Sequence, residues 1–105
     1  MEAKLDNLLK EAIAGRRIVS FILNSHPRVA EPHDYGVLKG VRQLLFYQVG
    51  GESSSKAPTG WRKTPVSNIS KLKLRSERFR GSRPAPSGKH IRWERLIATA
   101  SSRDG

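Results

Sequence analysis

Two tryptophans stand among basic residues in the second half of the chain, a combination that suits nucleic-acid binding. Trp61 is followed directly by Arg62 and Lys63, and Trp93 lies among further arginines. Aromatic rings stack on nucleobases while neighbouring cations hold phosphates. Either ring could instead cover the core, with its basic neighbours in solvent. For Trp61 both interpretations stay open, and for Trp93 we favour a helix that packs on the core.

The positive charge is concentrated in the same half of the chain. The net charge is +11, from 20 basic and 9 acidic residues, and residues 61–95 alone carry a net +9. Such a region attracts phosphate by its field and by counterion release. A solubilising or disordered basic tail is the alternative, although several of these bases fall on a predicted strand. The candidate phosphate-binding residues are Arg62, Lys63, Lys71, Lys73, Arg75, Arg78 and Arg80.

The segment KGVRQLLFYQVGG combines an apolar strand pattern with a polar start. We expect Leu44–Phe46 to be core residues, because β-strands rich in aliphatic and aromatic side chains bury them. Arg42 and Gln43 precede this run. They either begin a binding site or are solvated residues at the start of a strand, and solvation is the plainer interpretation for Gln43.

Four residues of the segment HPRVAEPHD have metal-binding side chains: His26, Glu31, His33 and Asp34. Imidazole and carboxylate groups suit zinc and similar ions. These residues flank two prolines on different predicted turns, with no third histidine near, so we interpret them as surface turn residues. The chain also has no cysteine, no Gly-x-Ser-x-Gly elbow and no Gly-x-x-x-x-Gly-Lys loop. We therefore expect no enzymatic activity, no metal and no cofactor.

The first element that the pattern predicts is an amphipathic helix over residues 2–14, followed by Gly15 as a left-handed C-terminal cap. Ile18–Leu23 predicts a strand, because the run is β-branched, aromatic and aliphatic. Residues 24–27 predict a turn. The segment RVAEP resumes an extended path, and Pro32 places it at a sheet edge or ends it.

Further short strands follow towards the C-terminus. We predict a strand in YGVLKG with Gly40 in a hairpin turn, a strand in RQLLFYQV, a flexible loop over residues 50–60, a strand before Pro65 and another from Ile69. Residues 80–89 are rich in Pro, Gly and Ser and predict a flexible basic tail, with a short helix near 90–100. One helix and closely spaced short strands favour a small barrel or a strongly bent sheet.

The chain from Glu11 to Phe79 resembles the WYL domain, a bacterial module in which a helix precedes an Sm-like, SH3-type β-barrel. EAIAGRRIVSFIL is similar to the family's helix and first strand, VAEP to its Glu-Pro segment, and GVRQLLFY to its name-giving Trp-Tyr-Leu strand. VSNI falls on the family's Arg-Ile step, and Phe79 on its final Phe. The resemblance covers about two thirds of the chain.

The resemblance implies a surface for a ligand or nucleic acid at the name-giving strand. The candidate residues there and nearby are Arg42, Gln43, Tyr47, Trp61 and Asn68. Arg42 and Gln43 stand at the family's Trp and Tyr positions, and Asn68 replaces its Arg. A rebuilt site would use Arg42 as its cation and Trp61 as its aromatic ring.

We therefore expect a mainly β (α+β) chain, with residues 1–79 as a helix plus WYL-like β-barrel domain and residues 80–105 as a basic, partly disordered tail. The expected function is non-catalytic, regulatory binding of single-stranded nucleic acid or a nucleotide-like anionic ligand. The alternative is a protein-interaction or oligomerisation module whose basic surface binds an acidic partner. No apolar run approaches the ~20 residues that span a bilayer, so we expect a cytoplasmic protein without membrane contact.

Overall fold

The structure, a computed structural model, describes residues 2–51, 60–79 and 93–100. Within these ranges one α-helix precedes six β-strands, and a 3-10 helix separates the fourth strand from the fifth. The elements are α1 (Glu2–Ala14), β1 (Arg17–Leu23), β2 (His26–Leu38), β3 (Val41–Gly51), β4 (Gly60–Pro65), η1 (Val66–Asn68), β5 (Ile69–Arg78) and β6 (Arg95–Thr99). The prediction of a mainly β chain with one N-terminal helix is confirmed.

The strands form one antiparallel sheet in the order β4-β3-β2-β1-β5, and β6 pairs with β2 outside this path. The long β2 pairs with β3 from Arg28 to Leu38. Its other edge pairs with β1 up to Ala30 and with β6 from Asp34. Among the described residues β4 and β5 are the ends of the order and do not pair, so the sheet is open.

The short link between β4 and β5 shows that this sheet is strongly curved. In a flat sheet these two strands would be four strand spacings apart, about 19 Å. The chain from Pro65 to Ile69 passes through the three residues of η1 and can span at most about 15 Å. The sheet therefore curls around its inner face, which carries the buried side chains of Leu44 and Phe46.

Two tight turns set the register of the long hairpins. Asn24 and Ser25 have φ values of 52° and 65°, and Lys39 and Gly40 have φ values of 50° and 76°. Two-residue hairpin loops with positive φ at both positions match the right-handed twist of the flanking strands. Gly40 lies in a hairpin turn as predicted. The first turn is shorter than predicted, because His26 already begins β2.

Pro32 does not end its strand. It lies in the middle of β2, opposite Phe46 of β3. Within the described residues this stretch of β2 has a partner on one edge only, since pairing with β1 stops at Ala30 and pairing with β6 starts at Asp34. A proline has no N–H to donate and is tolerated at such a locally unpaired edge. The prediction of a strand end was therefore wrong, and the prediction of an edge holds only locally.

The helix ends at Ala14, as predicted, but the left-handed residue that follows it comes one position later than its glycine indicated. Gly15 N–H still donates to the Glu11 carbonyl at 3.0 Å, and the left-handed residue is Arg16, with φ 53°. The predicted left-handed cap at Gly15 was therefore wrong. The amphipathic pattern itself is confirmed, because Leu9, Ala12 and Ile13 are buried against the sheet.

The C-terminal segment forms a strand where a short helix near 90–100 was predicted. β6 runs antiparallel to β2, with Arg95 opposite Val37 and Thr99 opposite Asp34. Short apolar segments do not distinguish helix from strand, and here the free edge of β2 provides the strand partner. β6 thus belongs to the same sheet as β1–β5. The predicted loop over residues 50–60 is shorter at both ends, because Gly50 and Gly51 belong to β3 and Gly60 begins β4. Its residues 52–59 and the predicted flexible segment 80–89 lie outside the described residues.

The core fills the space between α1 and the inner face of the sheet. Leu44 and Phe46 are fully buried, as predicted, and the Phe46 ring meets Phe21 edge-on with 5.2 Å between centroids. Leu45 points to the outer face and is only half-buried. On β5, Ile69 is buried, and Leu72 and Leu74 are partly buried and pack against the core.

Candidate functional site

The register of β3 and β4 places the predicted recognition residues on two different faces of the sheet. Side chains alternate along β3, so Arg42 shares the inner face with Leu44, whereas Tyr47 lies on the outer face. Trp61 pairs with Tyr47, and Arg62 pairs with Phe46. Trp61 is therefore on the outer face and Arg62 on the inner one. A single surface containing both Arg42 and Trp61 does not form.

Arg42 lines a pocket under the N-terminal half of α1. Arg42 and Arg95 are both paired with Val37, one on each side of it, so their side chains start from the same face of the sheet. Two strand spacings separate these positions, about 10 Å. The pocket has a volume of about 350 Å³ and is lined by Asp6, Lys10, Arg42, Arg95, Leu96 and Ile97. We call it the basic pocket.

One carboxylate organises the basic pocket. Asp6 Oδ2 lies 3.0 Å from Lys10 Nζ, and Asp6 Oδ1 accepts a hydrogen bond of 2.6 Å from the Tyr35 hydroxyl. Arg42 Nη1 is 4.0 Å from Asp6 Oδ1 and 3.5 Å from the Tyr35 oxygen. With three cationic side chains and one carboxylate, the basic pocket keeps a formal charge of +2.

The hydrogen bonds in the basic pocket shift the pKa values of two groups in opposite directions. The pKa of Asp6 is lowered, first by the hydrogen bond from Tyr35 and then by Lys10, so this carboxylate is ionised at neutral pH. Burial and the neighbouring Asp6 raise the pKa of Tyr35 to about 12, so its hydroxyl stays protonated. The pair is a fixed, charge-assisted hydrogen bond at the base of the pocket.

Gln43 and Asn68 lie apart from the basic pocket. Gln43 is half-buried on the outer face, opposite Gly36 and Pro65. Asn68 is the exposed last residue of η1. Neither side chain is among those that line the basic pocket.

An aromatic group occupies the outer face of β3 and β4. The Trp61 ring meets Tyr47 with 5.5 Å between centroids and His33 with 4.8 Å, both edge-on. His33 also packs on Phe79 at 5.2 Å. Trp61 and Tyr47 are half-buried, so part of this aromatic group is open to solvent. Lys63 is exposed on the same face, two residues further along β4.

Two of the residues interpreted as surface turn residues are buried in β2. His33 is 2% exposed and Glu31 is 6% exposed, and His33 Nε2 lies 3.3 Å from Glu31 Oε1. The register shift between Pro32 and Asp34 inserts His33 as an extra residue in the strand and directs its ring to the aromatic group. Among the described residues no three His, Asp or Glu side chains are grouped as metal ligands.

Trp93 lies two residues before β6, packs on β2 and does not belong to a helix. Its indole Nε1 donates to Asp34 Oδ2 at 3.3 Å, and Thr99 Oγ1 donates to Asp34 Oδ1 at 2.6 Å. A Cβ on Gly36 would lie 2.7 Å from the indole ring, so this position requires glycine. Asp34 therefore holds β6 and Trp93 against β2.

The basic residues of β5 are exposed at the end of the sheet opposite to β4. They are Lys71, Lys73, Arg75 and Arg78. Arg75 Nε forms an ion pair of 3.1 Å with Glu77, and Lys71 has a φ of 54° in a bulge that lets both Ile69 and Leu72 face inward. Arg80 lies outside the described residues.

A second group of cations lies at the other end of the inner face, and the sequence interpretation missed it. Arg28 is 3% exposed; its Nη1 donates to Gln48 Oε1 at 3.0 Å and its Nη2 to the Leu23 carbonyl at 3.3 Å. Arg62 is close enough to disfavour the charge on Arg28. We call Arg28, Gln48 and Arg62 the buried arginine cluster. Alternation with the inward-facing Ala30 could have revealed Arg28 from the sequence.

No helix among the described residues has both the length and the apolar character needed to cross a bilayer. No family model, no curated protein and no solved structure matches this chain.

Proposed function

We propose that this protein is a non-catalytic regulatory module that binds an anionic ligand of the nucleotide or nucleic-acid class through the basic pocket. The observation that carries the proposal is the convergence of Lys10, Arg42 and Arg95 from three separate elements on one open pocket. Cations gathered in this way are typical of sites that hold phosphate groups.

The geometry of the basic pocket favours phosphate over a neutral ligand. Arg42 and Arg95 start about 10 Å apart on the same face, which leaves room for a phosphate group between two guanidinium planes. Asp6 fixes Lys10 and the Tyr35 hydroxyl in place, so part of the site is ordered before a ligand binds. Such preorganisation lowers the entropy cost of binding.

The fold supports the interpretation as a WYL-like domain. The chain combines an N-terminal helix with a curled antiparallel sheet, and we propose that the sheet is a small barrel of the Sm-like, SH3 type. Arg42 occupies the start of the strand that is similar to the name-giving strand of that family. Its position in a pocket agrees with a recognition role at this strand.

The aromatic group makes a polynucleotide a better candidate ligand than a single nucleotide. Trp61 and Tyr47 lie on the outer face, and the basic pocket opens from the inner face. A single nucleotide cannot contact both, whereas a single strand that passes around the edge of the sheet can. Base stacking on an aromatic side chain contributes roughly 1–3 kcal/mol per base.

The test is a fluorescence-anisotropy titration with a labelled oligothymidylate at two salt concentrations. We expect Arg42→Ala and Arg95→Ala each to weaken binding by about tenfold or more, because each removes a charge-assisted contact. Three phosphate contacts predict a slope of log affinity against log salt of about −2. The matched comparison is Lys73→Ala on β5, which removes the same charge away from the basic pocket.

Each outcome of this titration has a clear consequence. A loss in Lys73→Ala without a loss in Arg42→Ala would move the site to β5 and overturn the pocket assignment. No binding of the oligonucleotide at low salt would remove nucleic acid as the ligand. An acidic protein partner for the exposed bases would then be the better explanation of the charge.

A further inference from the structure

In the buried arginine cluster, the positive charge of Arg28 has no negatively charged partner among the described residues. The Arg28 guanidinium is almost fully buried, and its two hydrogen bonds go to neutral acceptors, Gln48 Oε1 and the Leu23 carbonyl. No carboxylate in residues 2–51, 60–79 or 93–100 forms an ion pair with it. A buried guanidinium normally has a carboxylate or phosphate beside it.

Two hydrogen-bond donors in the same place lack acceptors. Arg28 Nε and Gln48 Nε2 are both buried and neither has a hydrogen-bond partner. Buried polar atoms in folded proteins are paired in the great majority of cases, and an exception calls for a bound ion or water. Because both orphan atoms are donors, the missing group must be an acceptor.

The surroundings of Arg28 favour a negatively charged acceptor over water. Arg62 adds a second cation near Arg28, and together with burial it lowers the pKa of Arg28. A water molecule would satisfy the donors but leave the charge of Arg28 uncompensated. An oxyanion satisfies the donors and compensates the charge, and its bonds to a guanidinium are charge-assisted.

We propose that Arg28 and Gln48 form an internal anion-binding site that takes a small oxyanion, a phosphate or carboxylate group, on Arg28 Nε–H and Gln48 Nε2–H. This site is separate from the basic pocket. Arg42 and Gln48 are six residues apart on β3, about 20 Å along the strand. Occupation of the internal site couples anion binding to the stability of the sheet, because β1, β2 and β3 all contribute to it.

The experiment is thermal unfolding of the full chain in buffers of equal ionic strength with inorganic phosphate, with acetate or with chloride alone. We expect phosphate to raise the Tm of the native protein above its value in chloride. The variant Gln48→Glu provides a carboxylate at the site. We expect it to have a higher Tm than the native protein in chloride and to show a smaller rise in Tm with phosphate, because only the basic pocket can then still bind the anion.

The acetate arm separates the two sources of an oxyanion. A rise in Tm with acetate equal to that with phosphate indicates a carboxylate site, and a rise with phosphate alone indicates a phosphate site. Equal rises of the native protein and Gln48→Glu would place the anion on the surface and overturn the proposal. So would the absence of any rise in the native protein.

Calorimetric titration with inorganic phosphate gives a second measurement that does not need a variant in the sheet interior. The double variant Arg42→Ala/Arg95→Ala removes two cations of the basic pocket and leaves Arg28 and Gln48 intact. We expect it to bind one phosphate per chain still. Loss of all phosphate binding in this double variant would overturn the proposal of an internal site. Retained binding supports the internal site and is compatible with a second site in the basic pocket.

Discussion

The two ends of the inner face are both basic, but they carry their charge in different ways. The basic pocket holds Arg42, whose side chain is 44% exposed, and it contains its own carboxylate, Asp6. The buried arginine cluster holds Arg28, which is 3% exposed and has neutral partners only among the described residues. The same side-chain type is therefore solvated at one end and desolvated at the other.

This difference determines how each group of cations should respond to a bound anion. An exposed guanidinium is stabilised by water and can exchange that water for a ligand at low cost. A buried guanidinium has lost its water, so an anion beside it stabilises the fold as well as binding to it. Substitutions of the exposed cations of the basic pocket should therefore change ligand affinity with little effect on the stability of the free protein, whereas substitutions in the buried arginine cluster should change that stability.

The largest expected effect comes from the core that separates the two ends. Phe46 is fully buried and packs on Phe21. We expect Phe46→Ala to lower the free energy of unfolding by about 3–5 kcal/mol, because it removes a large buried ring and leaves a cavity. Urea titration followed by circular dichroism measures this change. A loss below about 1 kcal/mol would mean that the two ends do not share one core.

The next largest effect should come from a substitution that disturbs the basic pocket and leaves the buried arginine cluster intact. A Cβ on Gly36 would lie 2.6 Å from the Arg95 carbonyl oxygen and 2.7 Å from the Trp93 ring. We expect Gly36→Ala to displace β6 and with it Arg95, and so to weaken oligonucleotide binding and lower the stability by about 1–3 kcal/mol.

Gly50→Ala is the matched control for Gly36→Ala. A Cβ on Gly50 would meet Val29 at an ordinary 3.8 Å. We expect near-native stability and near-native binding. Chemical-shift changes confined to β2 and β6 in Gly36→Ala would support the assignment, whereas equal damage in the two variants would contradict it.

A smaller effect should come from the hydrogen bond between Tyr35 and Asp6. Tyr35→Phe removes it, and we expect a loss of about 1–2 kcal/mol at neutral pH. The pKa of Asp6 is lower in the folded state, so its contribution is present above the ordinary pKa of an aspartate and is lost as the pH falls through the folded value. The stability of the native protein should fall on acidification more steeply than that of Tyr35→Phe.

Ionisation of Tyr35 should also lower the stability of the native protein at alkaline pH. Its folded pKa of about 12 lies above the ordinary value of 10, so its contribution is complete below pH 10 and is lost as the pH rises towards 12. Unfolding titrations at several pH values test both the loss of stability at acid pH and the loss at alkaline pH. Identical pH profiles for the native protein and Tyr35→Phe would show that this hydrogen bond does not stabilise the fold.

The smallest effect should come from the exposed ion pair on β5. Arg75 Nε and Glu77 Oε1 are 3.1 Å apart, with about half of each side chain in solvent. Exposed pairs of this kind contribute little because water and salt screen them. We expect no measurable change of Tm in Arg75→Ala. A clear loss would indicate that the cations of β5 have a structural role.

The sequence predicted the parts of the fold that depend on local periodicity. The spacing of Leu9, Ala12 and Ile13 indicated the helix, and the run from Leu44 to Phe46 indicated a strand, of which Leu44 and Phe46 are buried and Leu45 is not. Such patterns are strong because one face of each element must be apolar. The Gly40 turn was likewise readable from residue type.

The features of the fold and of the candidate site that depend on strand pairing could not be predicted from the sequence. Trp61 and Arg42 lie on opposite faces because Trp61 pairs with Tyr47, a register that the sequence of β4 alone does not determine. Arg95 was missed as a pocket residue because its segment was predicted as a helix, and only the free edge of β2 makes it a strand. Lys10 was not identified as a pocket residue from the sequence, because its position beside Arg42 and Arg95 depends on the tertiary structure.

The most direct test of the basic pocket is an NMR titration of the 15N-labelled chain with oligothymidylate, following the side-chain Nε–H resonances of the arginines. We expect those of Arg42 and Arg95 to shift first and in proportion to each other. Those of Arg75 and Arg78 on β5 should move only at higher ligand concentration. Early shifts of the β5 arginines with unchanged Arg42 and Arg95 would contradict the assignment of the ligand to this pocket.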